Sequence, residues 1–270
     1  MNRNVKISAL VNTLNEADNI ERCLRSLLWC DEIIVVDMNS TDGTVDIAHD
    51  MGARIILTDL PHGKVEPARQ TGIDASTGDW ILILDADEVL PSEIIPVLQQ
   101  IAYEEQYHVV RILVRDVWWG KKLLHIGNNF VTRFFKSGAL KYGGDIHSRG
   151  IVYDKSKAYT MPVNELLAID HYCVNSLDGI VERAVRYSRF EADWMMENNV
   201  HYSIWRHLRS IVGQVYLYSI KYHFWKDGIR GFFALTFLML HSHLNWVRLW
   251  EYDRNISEDL KSHEIGPLLK

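Results

Sequence analysis

Over its first hundred residues the chain switches repeatedly between two side-chain periods, and its apolar runs of strand type stop at polar or acidic residues. Residues 6–11, 32–37, 53–57 and 80–84 are short, β-branched and apolar, too brief for helices. Between and after them, residues 17–29, 44–51, 66–76 and 91–103 carry apolar side chains at helical spacing, as with Ile20, Leu24, Leu27 and Leu28. Asp42 or Ser40 is placed to cap the second helix. Strand alternating with helix predicts an α/β fold, a mostly parallel sheet with helices on both faces. A parallel sheet of this kind binds ligands outside the carboxyl ends of its strands.

From Val109 to about Asp170 the pattern changes to short strands with glycine-rich turns such as Lys141-Tyr142-Gly143-Gly144. After Leu177 it becomes helical, with residues 178–198, 202–222 and 228–250 all showing apolar and aromatic groups at i, i+3 and i+4. The expected organisation is a catalytic domain over 1–175 and a helical C-terminal region over 176–270. With 47% hydrophobic and 24% charged residues the chain has the composition of an ordered globular protein. Its net charge of −6 argues against a broad electrostatic grip on nucleic acid, so an anionic ligand must be held by local basic groups, backbone amides or a metal. Cys23, Cys30 and Cys173 follow no metal-ligand spacing and read as inert thiols. The opening residues lead straight into a strand without a signal-peptide pattern, so the expected location is cytoplasmic, at most the inner face of a membrane.

Three clusters stand at the strand ends: Asn12-Thr13-Leu14-Asn15-Glu16, Asp37 through Thr44, and Asp85-Ala86-Asp87-Glu88. Helix caps and turns explain Asp42 and Ser40 individually. Three acidic and polar clusters at one sheet edge together describe a polar pocket. In an extended segment residues i and i+2 project to the same side, so Asp85 and Asp87 are placed to share one hard cation.

The set Thr13-Leu14-Asn15-Glu16, Val35-Val36-Asp37 with Ser40 through Thr44, Ala68-Arg69-Gln70-Thr71-Gly72 and Leu84 through Glu88 resembles glycosyltransferase family 2, inverting enzymes of the GT-A fold. Later segments, Tyr142 to His147, Asp170-His171-Tyr172 and Arg186-Tyr187-Ser188, are similar to its lipopolysaccharide-core β-glucosyltransferase subgroup. The resemblance implies a UDP-sugar donor, most simply UDP-glucose, and a saccharide or lipid-linked acceptor of the cell envelope. It implies that Thr13, Asn15 and Glu16 line the base and ribose pocket, that Asp37 holds the base, and that Asp42 and Arg69 lie near the ribose and nucleotide. Asp85 would contact ribose or a metal-bound water, and Asp87 would ligate Mn2+ or Mg2+. His171 is a further metal ligand or diphosphate contact, and also reads as an ordinary histidine at a strand end. Arg186 reads either as a diphosphate fork or as a solvated helix residue. Gln70 stands where the family usually has Asn.

Inversion needs a base for the acceptor hydroxyl. Subgroup members read Gly-X-Val-His-Glu where this chain has Gly144-Asp145-Ile146-His147-Ser148, so the carboxylate is missing at Ser148 and Asp145 is the leading base. Asp116, Glu165 and His147 are its rivals. Two other readings stay open: a nucleotidyltransferase, against which the Thr-Leu-Asn-Glu loop speaks, and a catalytically inactive binding protein. In the C-terminal region, residues 225–250 combine Phe232, Phe233, Phe237 and Trp246 with Lys226, Arg230 and Arg248, a pattern for a membrane surface, a second subunit or packing on the chain's own core. No stretch is long and apolar enough to span a bilayer.

Overall fold

The computed structural model describes residues 5–59, 65–127, 129–142 and 150–254. The chain divides into two compact units, one of residues 1–122 and 127–173, the other of 123–126 and 174–270.

The first unit is built on a sheet whose first four strands are β1 (Ile7–Thr13), β2 (Glu32–Asp37), β3 (Arg54–Leu57) and β4 (Trp80–Asp85). They lie in the order β3-β2-β1-β4, all parallel. Helices α1 (Ile20–Arg25), α2 (Thr44–Asp50) and α3 (Val65–Ala75) connect them, and α4 (Ile95–Glu104) follows the short strand β5 (Glu88–Val89). Helices cover both faces because every second strand residue serves a different core. Trp80, Leu82 and Leu84 pack with Ile20 and Leu24 of α1 and Leu98 of α4, while Ile81 and Ile83 pack with Ala68 of α3.

The remaining strands make the sheet mixed. β6 (Val109–Trp118), β7 (Lys121–Lys122), β8 (Asn129–Lys136), β11 (Ala158–Thr160) and β12 (Ile169–Val174) complete it, while β9 (Leu140–Lys141) and β10 (Ile151–Val152) form a separate antiparallel pair. β8 runs antiparallel between β4 and β6, with Leu82 opposite Phe134. β12 reaches back to pair antiparallel with β5, setting His171 opposite Glu88. One further detail departs from expectation: Gly43 is the N-cap of α2, Ser40 bonds Asp37 instead, and Asp42 takes the Thr44 amide from one position earlier.

The second unit holds α5 (Leu177–Glu197), α6 (Ile204–Tyr216) and α7 (Gly228–Asp253). The expected helix over 202–222 is shorter than its periodicity suggests: after Tyr216 it widens into a π-helical turn at Leu217–Lys221, then a 3-10 turn at Phe224–Asp227. Asp227 ties the 123–126 segment to this unit, its carboxylate accepting the backbone amides of Leu124, His125 and Ile126 at 2.7, 3.0 and 3.1 Å. No helix among the described residues is long and apolar enough to cross a membrane.

Candidate active site

Parallel register aligns the strand ends, with Thr13 opposite Asp37 and Asn12 opposite Asp85. The loops after β1 and β2 are laced together. The Asn15 amide donates to Ser40 Oγ at 2.8 Å, and the Thr41 amide to Asn15 Oδ1 at 2.7 Å. Asn15 and Asn39 adopt positive φ, which asparagine tolerates better than most residues. Asp37 is fully buried and accepts the Ser40 amide and hydroxyl at 2.8 and 2.5 Å. Asp42 accepts the Ala17 amide at 3.1 Å on one oxygen and the Thr44 amide on the other. Although some desolvation opposes it, this bonding holds its carboxyl below the usual range. Glu16 is fixed by its amide to Thr44 Oγ1 and accepts from Asn19, which in turn accepts from Arg22. The Arg22 guanidinium lies 3.6 Å over the Tyr172 ring. At the end of β1 the buried Asn12 amide and Thr13 hydroxyl have no hydrogen-bond partner among the described residues.

The acidic triplet separates into two environments. Asp85 is clamped by two guanidinium groups, Arg69 on one oxygen and Arg133 on the other, each at 2.7 Å. Burial by itself would raise its pKa, but Arg133 and Arg69 outweigh it and hold Asp85 deep in the ionised state. Arg133, on β8, also bonds the buried Glu88, whose second oxygen accepts the Asp85 amide at 3.0 Å. Burial pushes the Glu88 carboxyl up despite Arg133. Asp87 belongs to a different group. Its Oδ2 stands 3.2 Å from His171 Nε2, and its carbonyl accepts the Tyr172 amide at 2.7 Å. On the other side of the ring His171 Nδ1 donates to Asp116 Oδ1 at 2.8 Å. Burial would lower the His171 pKa, yet Asp87 and Asp116 raise it well above its ordinary value.

Asp116, His171 and Cys173 offer ligand atoms within 4.8 Å of one another, and Asp87 adjoins this group through the imidazole. Imidazole and carboxylate suit Mn2+, and a histidine whose other nitrogen is held by a carboxylate is oriented as metal-binding histidines usually are. The donor set therefore fits a divalent metal at Asp87 and His171, with Asp116 behind the ring. Asp85 is less suited to direct ligation, since both its oxygens already serve arginines. Arg186 lies exposed on α5 in the second unit, its guanidinium near the Tyr187 ring. Asp145 and His147 lie outside the described residues.

Residues 8–153 match the family model described as Glycosyl transferase family 2. The chain belongs to this family. A relative from Rickettsia bellii, described as an uncharacterized glycosyltransferase, is 31% identical over 201 residues, 69% of this chain and 66% of its own length. A glycosyltransferase of PGL/p-HBAD biosynthesis from Mycobacterium bovis is 37% identical over 91 residues, 31% of this chain and 36% of that protein. Among solved structures, glucosyl-3-phosphoglycerate synthase from Mycobacterium tuberculosis, with Mn2+, UDP and glucosyl-3-phosphoglycerate, is 28% identical. That match covers 43% of this chain and 45% of the other at a TM-score of 0.34. The mixed sheet with helices on both faces and a helical C-terminal region is the GT-A arrangement expected of a family 2 glycosyltransferase.

Sequence reasoning missed Arg133 and Cys173. Arg133 had one signal, a lone charge in the apolar run Phe130-Val131-Thr132-Arg133-Phe134-Phe135, because a charge on a buried strand requires a partner. Cys173 stands two residues after His171, which on a strand sets both on one face. Cys23 and Cys30 are inert as expected: burial raises both thiols, that of Cys30 to about 12.

Proposed function

We propose that the protein transfers a hexose from a UDP-sugar, most simply UDP-glucose, to a hydroxyl of a cell-envelope glycan or lipid-linked saccharide, with inversion at the anomeric carbon. The observation that carries this reading is the pairing of Asp87 with an oriented His171 beside the arginine-clamped Asp85. A Mn2+ or Mg2+ ion held by Asp87 and His171 would neutralise charge that develops on the departing diphosphate. Arg69 and Arg133 keep Asp85 ionised and fixed, so that it meets a ribose hydroxyl or a metal-bound water without reorganising. Asp37, Asn15 and Asp42 stiffen the paired loops on which Thr13 and Glu16 stand, and the partnerless Asn12 amide and Thr13 hydroxyl are suited to polar groups of a nucleoside.

In the transfer, the acceptor oxygen forms a bond to the anomeric carbon as the carbon–oxygen bond to the diphosphate breaks. UDP departs with the electron pair, and the acceptor proton passes to a base. Of the candidates, Asp116 is engaged by His171 and Glu165 is exposed, while Asp145 and His147 lie outside the described residues. Asp145 is the proposed base because it is the carboxylate nearest in sequence to Ser148, where the subgroup's acid is missing. The first unit accordingly carries the donor and acceptor subsites.

The test is UDP release and product formation across UDP-, GDP- and dTDP-sugars with Mn2+. UDP-glucose should be the best donor, and Asp87→Asn should lower kcat by roughly 10²–10³-fold, the scale of losing a charge stabiliser. Full turnover in excess chelator, or preference for a GDP-sugar, overturns the proposal.

A further inference from the structure

Helix α6 is amphipathic in the reverse sense for a helix in water. Two of its polar side chains point at α7: His207, only 6% exposed, has its Nε2 3.0 Å from His243 Nδ1, and Ser210 Oγ lies 2.6 Å from Ser242 Oγ. The His207 ring also stacks on Trp246. The opposite face shows Ile204, Trp205, Leu208, Val212, Val215 and Tyr216 to solvent, with Trp205 77% and Val212 66% exposed. At 100° per residue these six fill an arc of roughly 120°. A helix that buries its polar face and displays its apolar one has no stable place in bulk water, and exposed apolar surface on this scale marks a contact.

Charge identifies the class of partner. Arg209 and Arg206 follow the apolar arc on one edge, and Lys221 and Lys226 continue beyond the helix. Between Ser203 and Lys226 there is no aspartate or glutamate, on a chain whose net charge is −6. Aromatic residues of interfacial type, Trp205, Tyr216 and Trp225, all stand exposed in the same segment. Helix α7, the segment singled out from sequence, buries Leu235, Trp246 and Leu249 but also exposes Ile229, Phe232 and Phe233 near its start.

We propose that α6 lies flat on an anionic lipid surface, its Trp205–Tyr216 face in the headgroup layer and its basic edge against lipid phosphates. This reading goes beyond sugar transfer and stands whether or not UDP-glucose is the donor.

Flotation of the full-length protein with phosphatidylcholine vesicles, with and without about one-third phosphatidylglycerol, tests it together with light scattering. Binding to the anionic vesicles is expected, falling steeply with salt. Trp205→Gln with Val212→Gln should abolish it while circular dichroism and melting stay unchanged, because both side chains are exposed. Arg206→Gln with Arg209→Gln should weaken binding by about fivefold per charge. Arg25 and Arg54, which belong to the first unit, serve as the control pair. A dimer that Trp205→Gln with Val212→Gln dissolves, without vesicle binding, would show that a second copy covers the face and overturns the proposal. A monomer that ignores both vesicle types overturns it as well. Whichever way lipid binding falls, donor turnover in solution is read separately, so the two proposals fail independently.

Discussion

At the scale of single residues, one guanidinium organises the acidic site. Arg133 is buried between Asp85, which is partly open to water, and Glu88, which is not. An ion pair of this kind contributes little net stability when intact, but removing one partner strands the others. Arg133→Met should therefore destabilise the protein by about 3–5 kcal/mol, read from urea unfolding. Glu88→Gln in the same background should restore part of the loss, since it removes the carboxyl that burial already pushes toward its neutral form. If Arg133→Met unfolds at the same urea concentration as the parent, the clamp is not structural. Gly127 shows a similar economy of space: at φ +74° it passes so close to Asp116 that a Cβ would lie 2.1 Å from the carboxylate oxygen. The carboxylate that orients His171 is thus itself confined by backbone.

Among elements, the packing of α3 on the sheet depends on an absent side chain. Gly72 lies against β1 and β2, where a Cβ would come within 2.0 Å of Leu10 Cδ1 and 2.9 Å of Val36 Cγ2. Glycine costs helix propensity, and here close approach of helix to strand is the reason for it. Gly72→Ala should lose about 1–3 kcal/mol by overpacking in spite of alanine's better propensity. A Gly72→Ala/Leu10→Ala double variant should lose less than the sum of the two singles, because the smaller residue admits the new methyl group. Strict additivity would mean that the helix simply shifts. The same helix carries Arg69, three residues earlier, so movement of α3 also reaches Asp85.

For the whole molecule, ligand binding is linked to stability. UDP and metal that bind only the folded state raise the melting temperature by mass action. At a hundredfold excess over Kd the gain is about 2.7 kcal/mol, or about 5–10 °C for a domain of this size. UDP with Mn2+ should produce such a shift in differential scanning fluorimetry. UDP with chelator should produce much less, and Asp87→Asn should abolish the difference. An equal shift with and without metal would place the nucleotide away from Asp87 and His171.

Residue identity and spacing alone determined the strand–helix alternation, the polar clusters that follow its strands at residues 12–16, 37–44 and 85–88, and the family, because hydrophobic period and short motifs are local properties. The positions of Asp85, Asp87, Arg69 and His171 were legible as polar groups in that frame. Their division into an arginine-clamped Asp85 and an Asp87–His171 pair was not. It follows from β8 running antiparallel beside β4, which brings in Arg133, and from β12 returning to pair with β5 more than eighty residues earlier in the chain. Such pairing is set by competition among all strands for partners, and no local pattern records the outcome. The direction of α6 was hidden for the same reason. Its sequence shows an apolar stripe and a polar one, and only its hydrogen bonds to α7 decided that the polar stripe faces inward.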